Sequence, residues 1–341
     1  MSLFPTTIQK LLRKESLSFN EAKGVMTEIM TGQLSSIRLA SWITALRMKG
    51  ESPEEVGGCA AAMNASSIKI HCLDENVIDT CGTGGDGAGT FNISTAAAFV
   101  SAGAGVTVAK HGNKAVSSNS GSADILSELG LNINMSVDDM EFCLNKLGIS
   151  FLFAPNLHPA MKHAMPVRID LGIRTVFNIM GPLCNPANAK RAVIGVYDKS
   201  LCRTMAEAAL RIGKEHIMVV HGKDGLDEIT TTTTTHICEL RNGEIREYEF
   251  DPAKTLGIPK ARPADLLGRG PRENAKVFRD ILSGEAKGPL RDVVVLNSAA
   301  AIMVSGKALK WDDATAMAED SISKGHAYQK LKSIIEFTRK R

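Results

Sequence analysis

Residues 79–95 read DTCGTGGDGAGTFNIST, with Gly82, Gly84, Gly85, Gly87 and Gly89 crowded into eight positions. An apolar strand candidate precedes this run and a helix of small residues follows it. Strand, glycine loop and helix in that order constrain the chain towards an α/β fold whose loop serves a ligand. Glycine removes side chains where backbone N–H groups could close on a ligand, and it permits φ > 0. A nest of such N–H groups feeding a helix N-terminus is an anion site, most often for phosphate. Asp86 sits inside the nest and repels a bare phosphate. A ribose, an amine or a metal ion is therefore expected beside it.

At 341 residues the chain is long for one core and suggests two domains, or one large α/β domain with an appendage. Only 5% of residues are aromatic, which argues against stacking platforms for single-stranded nucleic acid. A net charge of +3 gives no large basic field, so no nucleic-acid partner is expected. Cys59, Cys72, Cys81, Cys143, Cys184, Cys202 and Cys238 include no CxxC pair. That scatter argues against a disulfide framework or zinc cluster and favours reduced thiols in the cytoplasm. The first residues, MSLFPTTIQKLLRKES, lack the uninterrupted apolar core of a signal peptide. No stretch has transmembrane length, so no membrane role is expected.

The first 70 residues read as helical. Ser18 and Glu21 form a capping box ahead of an apolar stripe at Ala22, Val25, Met26 and Ile29. A second helix is expected over 36–49, stopping at Gly50. Ser52-Pro53-Glu54-Glu55 repeats the capping box and opens a third. From Val77 the pattern changes to strand, loop and helix, with strand candidates at 77–80, 106–109, 149–153, 192–197, 217–220 and 293–296. These short apolar runs suit a largely parallel sheet buried on both faces. Asn242-Gly243 marks a hairpin turn. The threonine run 230–235 is expected to be extended, because β-branched residues favour strands. The segment from His158 to Pro186 interrupts the alternation and could belong with the N-terminal helices.

The loop Gly82-Thr83-Gly84-Gly85-Asp86-Gly87 matches GxGxxG, so a dinucleotide site competes first. A nicotinamide site wants an acidic residue at the end of the second strand to hold ribose hydroxyls. That strand instead runs into Lys110-His111-Gly112-Asn113-Lys114, which favours phosphate. No GxxxxGK[ST] string occurs, which disfavours P-loop chemistry. The serine-rich stretch that follows, with Ser120-Gly121-Ser122-Ala123-Asp124, suits a phosphate ester or, more plainly, a helix cap. Asp227-Glu228 after another strand suits Mg²⁺, which takes one or two carboxylates and otherwise waters and substrate phosphates. The plain alternative is a solvated turn, and Asp224 reads as part of that turn. Arg168 and Arg174 stand in an otherwise apolar, proline-flanked segment suited to binding a carboxylate. Their plain alternative is an ion pair, for instance with Asp170. His158 and His163 are off the usual metal spacing and read as structural or supporting.

Together, GTGGDG, NIST, KHGN, SGSAD, HPAMKHAMPVRIDLGIRTVFNIMGPLCNPA and GLDE resemble, in this order, the anthranilate phosphoribosyltransferase family. The resemblance covers nearly the whole chain. It implies a small helical domain, 1–72 with about 158–187, and a large α/β domain, 73–157 and 188–341, in the nucleoside-phosphorylase-like architecture. It also implies tryptophan biosynthesis and a homodimer formed through the helices. Association with a separate anthranilate synthase is left open. Cys81 and Lys114 depart from residue types common in the family, and Lys114 lacks arginine's fork. The pyrimidine nucleoside phosphorylases share the architecture and are the nearest rival. A non-catalytic nucleic-acid-binding relative is the rival from another class.

The resemblance assigns 5-phosphoribosyl 1-diphosphate to Gly82, Gly85, Asp86, Thr90, Asn92, Ile93, Ser94, Thr95 and the run Lys110, His111, Gly112, Asn113, Lys114, Ala115, Val116, Ser117 and Ser118, with Ser122. Anthranilate falls to Gly82, Asn113 and Arg168. Mg²⁺, two ions per monomer, falls to Ser94, Asp227 and Glu228. The reaction needs no essential general base, because an arylamine is already uncharged near neutral pH. Lys110, Arg168, Asp227 and Glu228 are the residues expected to carry it, by electrostatic stabilisation of the leaving diphosphate and by orientation of the amine.

Overall fold

The computed structural model describes residues 2–114 and 121–340. Two capping boxes set where the N-terminal helices begin. Ser18 Oγ accepts from the Glu21 N–H at the start of α2 (Phe19–Met30), and Ser52 Oγ accepts from Glu55 ahead of α4 (Pro53–Ala65). Glu55 is fully buried and does more than cap: it also accepts from Leu17 N–H at 2.8 Å and from Lys49 Nζ at 2.8 Å. Helix α3 covers Ser36–Lys49 and ends at Gly50, as expected. A further helix, α1 (Phe4–Leu12), joins these three; its short amphipathic run carries no capping signal. Gly58 permits the close approach of α2 and α4, because a Cβ there would strike the Phe19 carbonyl.

The sheet has seven strands in the order β3-β2-β1-β4-β5-β6-β7. They are β1 (Ile78–Gly82), β2 (Val108–Gly112), β3 (Ile149–Phe153), β4 (Arg191–Gly195), β5 (His216–Gly222), β6 (Thr235–Arg241) and β7 (Glu244–Phe250). The first five are parallel; β6 and β7 add antiparallel, joined at Asn242-Gly243. The order reverses between β1 and β4, which pair from Ile78↔Arg191 to Gly82↔Gly195. In open α/β sheets the crevice at the carboxyl ends of such a switch point is where ligands bind.

Side-chain alternation gives the sheet two cores. Val193, Met218 and Val220 face a core with α5 (Ile93–Gly103) and the helix Pro289–Ser305. Ala192, Ile194, Ile217 and Val219 face the other core, shared with α2, α3, α4 and the helix Leu201–Arg211. Ala164, Val167, Val176, Phe177 and Leu183 from 158–187 enter that second core too.

Two expectations fail. Residues 293–296 are not a strand but the middle of the helix Pro289–Ser305, buried all round against α5. A short apolar run cannot distinguish a buried strand from a buried helix. The threonine run is not extended either. Thr231–Thr233 bend, and only Thr235 enters β6. Thr230 Oγ1 and Thr232 Oγ1 both donate to Asp224 Oδ2, the first at 2.6 Å, so their hydroxyls outcompete β propensity. All seven cysteines are free, and no described helix is long and apolar enough to cross a membrane.

Candidate active site

The glycine loop leaves β1 at the switch point and enters α5. Gly84, Gly85, Gly87 and Gly89 have φ of 64°, 79°, 74° and 63°. These are left-handed values that a side chain would strain, so the backbone path itself requires glycine at these four positions. Thr83 N–H donates to the Gly195 carbonyl at 2.8 Å, fastening the loop across the β1–β4 seam. Its far end is held by Gly268 N–H on Gly89 O at 2.8 Å and by Phe91 N–H on Leu266 O at 3.0 Å. Asp86 Oδ1 accepts from Ala88 N–H within the loop at 3.1 Å, and its Oδ2 from Asp227 N–H at 3.4 Å.

Asp227 and Glu228 lie beyond β5, beside the loop. Ser94 N–H, in the first turn of α5, donates to Glu228 Oε1 at 3.1 Å. A Cβ on Gly195 would collide with the Asp227 carbonyl, and one on Gly82 would stand 3.0 Å from Asp227 Oδ2. Backbone and carboxylate are thus packed against both strand ends. Burial first, then Glu228 and Asp86, hold the Asp227 carboxyl well above the usual carboxylate range. Burial pushes Glu228 up to about 7, against the opposing pull of Lys110 and Ser94. Crowded, half-buried carboxylates of this kind call for a cation.

Lys110, at 3% exposure, reaches from β2 to β1 and donates to the Thr80 carbonyl. Burial lowers its pKa, while Asp79 and Glu228 raise it. His111 follows on β2 and meets His158, with 3.2 Å between their Nε2 atoms. Burial, then His158 and Lys110, lowers His111 to about 3; burial, then Lys69, lowers His158 to about 4. Both rings are neutral near pH 7.

Asn113 O accepts from Ala123 N–H at 3.1 Å and from Ser122 Oγ at 3.2 Å, so these two expected site residues close on each other. Asp124 serves its helix as a cap, accepting from Gly121 N–H at 2.9 Å. Lys114 is exposed. Ala115, Val116, Ser117 and Ser118 lie outside the described residues. Thr90 forms a bridge with Leu267, and Asn92 takes the position just before α5. Ile93 and Thr95 turn their side chains inward, Ile93 into the core, leaving Ser94 between them half-buried at the helix start.

Arg168 is half-buried on the helix Met165–Leu171, its guanidinium 5.2 Å from the Phe177 ring centroid. The alternative ion pair with Asp170 does not form among the described residues. Neither does a hydrogen bond join Arg168 to the glycine loop; the contact to Gly85 O comes from Arg174.

A buried network escaped the sequence reading. Asp79 accepts from His111 N–H at 3.1 Å and from Asn185 Nδ2 at 2.7 Å, and Asn185 Nδ2 also donates to Ala109 O at 2.8 Å. It ties β1 and β2 to the segment around Pro182–Pro186. The only signal was an acid at the strand end before the loop, with nothing local to name its partner.

Residues 74–328 match the glycosyl transferase family, a/b domain, and residues 5–67 match the helical bundle domain of that family. The anthranilate phosphoribosyltransferase of Clostridium kluyveri is 50% identical over 330 residues, 97% of this chain and 98% of the relative. That of Acetivibrio thermocellus is 50% identical over 331 residues, 97% and 95% of the two chains. The chain belongs to the anthranilate phosphoribosyltransferase family. The family member from Thermus thermophilus superposes with a TM-score of 0.92 at 39% identity, over 99% of this chain and 100% of that one. The Saccharomyces cerevisiae member, solved in complex with PRPP and Mg, gives 0.89 at 28% identity, over 99% and 98%. These full-length relatives support the transferase over the phosphorylase and nucleic-acid alternatives.

Proposed function

We propose that the cleft at the β1–β4 switch point transfers the phosphoribosyl group of 5-phosphoribosyl 1-diphosphate to the amine of anthranilate, a step of tryptophan biosynthesis. The observation that carries this is the convergence of an N–H-rich glycine loop with a raised-pKa carboxylate pair on one sheet edge. One element suits diphosphate; the other suits the cation that accompanies it. The yeast complexes, one with PRPP and Mg and one with 4-fluoroanthranilate, support both substrates.

The amine nitrogen bonds to C1 of the ribose as the C1–O bond breaks. The bonding pair leaves with diphosphate, and the amine gives a proton to water. Charge separation is the difficult part, so preorganised positive charge does most of the catalysis. The loop amides and the N-terminus of α5 face the leaving group, with Lys110 placing a cation beneath them. Arg168, charged and in no ion pair among the described residues, pairs with the anthranilate carboxylate and aims the amine.

The donor set fits Mg²⁺. Among the described residues no three His, Cys, Asp or Glu side chains form a ready cage. Mg²⁺ needs none, since it keeps waters and binds substrate phosphates. Asp227 and Glu228 would hold it with Ser94, and two ions per monomer are expected. When bound, the ion supplies charge that offsets the departing diphosphate.

The same reading places the protein in the cytoplasm as a homodimer formed through the helical domain, 1–72 with 158–187. Ile37 and Met48, each 83% exposed on α3, offer an apolar face for the contact. The test is diphosphate release measured with and without anthranilate. Release that depends on anthranilate and Mg²⁺ supports the reading. Phosphorolysis of thymidine without anthranilate transfer would replace it.

A further inference from the structure

Arg174 is exposed, yet its guanidinium makes two contacts that bridge separate parts of the cleft. It donates to the Gly85 carbonyl, and its Cζ stands 4.0 Å from the Tyr197 ring centroid. Tyr197 follows β4, and its own N–H donates to Thr83 Oγ1 at 3.2 Å. The chain leaving β4 therefore holds the glycine loop twice, at Thr83 directly and at Gly85 through Arg174. A loop with glycines at four left-handed positions has few side chains to hold it, and it gives up much backbone freedom on ordering. A planar guanidinium on an aromatic face is itself preorganised, so it can restrain such a loop at little cost of its own.

We propose that Arg174 is a positioning residue: seated on the Tyr197 ring, it holds the Gly85 carbonyl and presets the glycine loop for diphosphate. The proposal rests on the reading of that loop as the diphosphate floor. It goes beyond that reading by assigning the loop's order to a residue from the anthranilate-side segment, so the two halves of the site are coupled before substrate arrives. Neither Arg174 nor Tyr197 has to touch a reacting atom.

The test combines steady-state kinetics with amide hydrogen exchange of 83–89 in the substrate-free protein. Arg174→Ala should raise the KM for 5-phosphoribosyl 1-diphosphate roughly tenfold, the combined scale of one hydrogen bond and one exposed cation–π contact. Turnover should stay within about twofold, because a preset loop acts on ground-state binding. Exchange in 83–89 should speed up while the strands keep their protection. Tyr197→Phe, which keeps the ring, should behave as wild type, and Tyr197→Leu should resemble Arg174→Ala. The double variant should be no worse than either single one. Arg174→Lys, with charge but no flat face, should fall between. An active wild type whose Arg174→Ala variant changes neither exchange nor KM overturns the proposal alone. So does a fully additive double variant. A wild type that releases no diphosphate overturns the site reading beneath it.

Discussion

Ser94 and Glu228, 134 positions apart in the chain, meet where the Ser94 N–H donates to Glu228 Oε1 at 3.1 Å. The bond places a carboxylate at the positive end of α5 and joins the loop after β5 to the helix after β1. Burial opposes the carboxylate charge that this helix end favours, and the balance leaves Glu228 at about 7.

That balance sets a pH dependence. Glu228 has a folded pKa raised above its unfolded value, so the unfolded chain ionises it first. The contribution of Glu228 to the stability of the metal-free protein should fall as pH rises from about 4.5 through 7. Glu228→Gln should remove much of that fall and raise Tm at pH 8 by roughly 2–5 °C. Turnover should drop on the order of a hundredfold, with loss of Mg²⁺ dependence. Thermal melts at pH 5 and 8, with and without Mg²⁺, check this. An unchanged Mg²⁺ response would count against the metal assignment.

The His111–His158 pair has the opposite linkage. Both folded values, about 3 and about 4, lie below the ordinary 6.5, so unfolding takes up protons. The pair's contribution to stability should be fully present above pH 6.5 and decline as pH falls towards 4. Urea midpoints across that range should show the slope, and His158→Gln should make it shallower. Equal slopes in the two proteins would contradict the burial account.

Arg168→Ala should chiefly raise the anthranilate KM, by about 10- to 100-fold, the scale of a charge-assisted hydrogen bond to a carboxylate. Its KM for the phosphoribosyl donor should change little. Rate measurements with each substrate varied in turn separate the two. A rise confined to the donor KM would move Arg168 to the diphosphate side.

Gly195→Ala tests the packing beneath the carboxylates. Its Cβ would overlap the Asp227 carbonyl, which is backbone and cannot swing aside. The variant should lose about 1–3 kcal/mol of stability and most activity. Alanine at Gly213, where no atom lies near a Cβ, makes a poor comparison because its φ is 76°. Gly270→Ala, with open space and ordinary φ, should be nearly neutral in chemical denaturation.

The glycine loop, the three site-bearing strand ends and both capping boxes were legible because each depends on neighbours in sequence. The helix at 293–296 was not, since its buried run matches a strand equally well until α5 is packed against it. The bend at Thr231–Thr233 was hidden for a similar reason: β-branching is visible in sequence, but the Asp224 carboxylate that gathers the hydroxyls is not. Asp79 with Asn185, and His111 with His158, are joined by the pairing of β1, β2 and β3 and the return of 158–187 to the sheet. Asp86 was visible as an anomaly, but the N–H groups of Ala88 and Asp227 that it accepts from were not.

The most direct measurement follows anthranilate fluorescence after 5-phosphoribosyl 1-diphosphate and Mg²⁺ are added to the protein. The signal should decay with substrate consumption, and far more slowly with Asp227→Asn/Glu228→Gln. A steady signal with the wild-type protein under those conditions would contradict it.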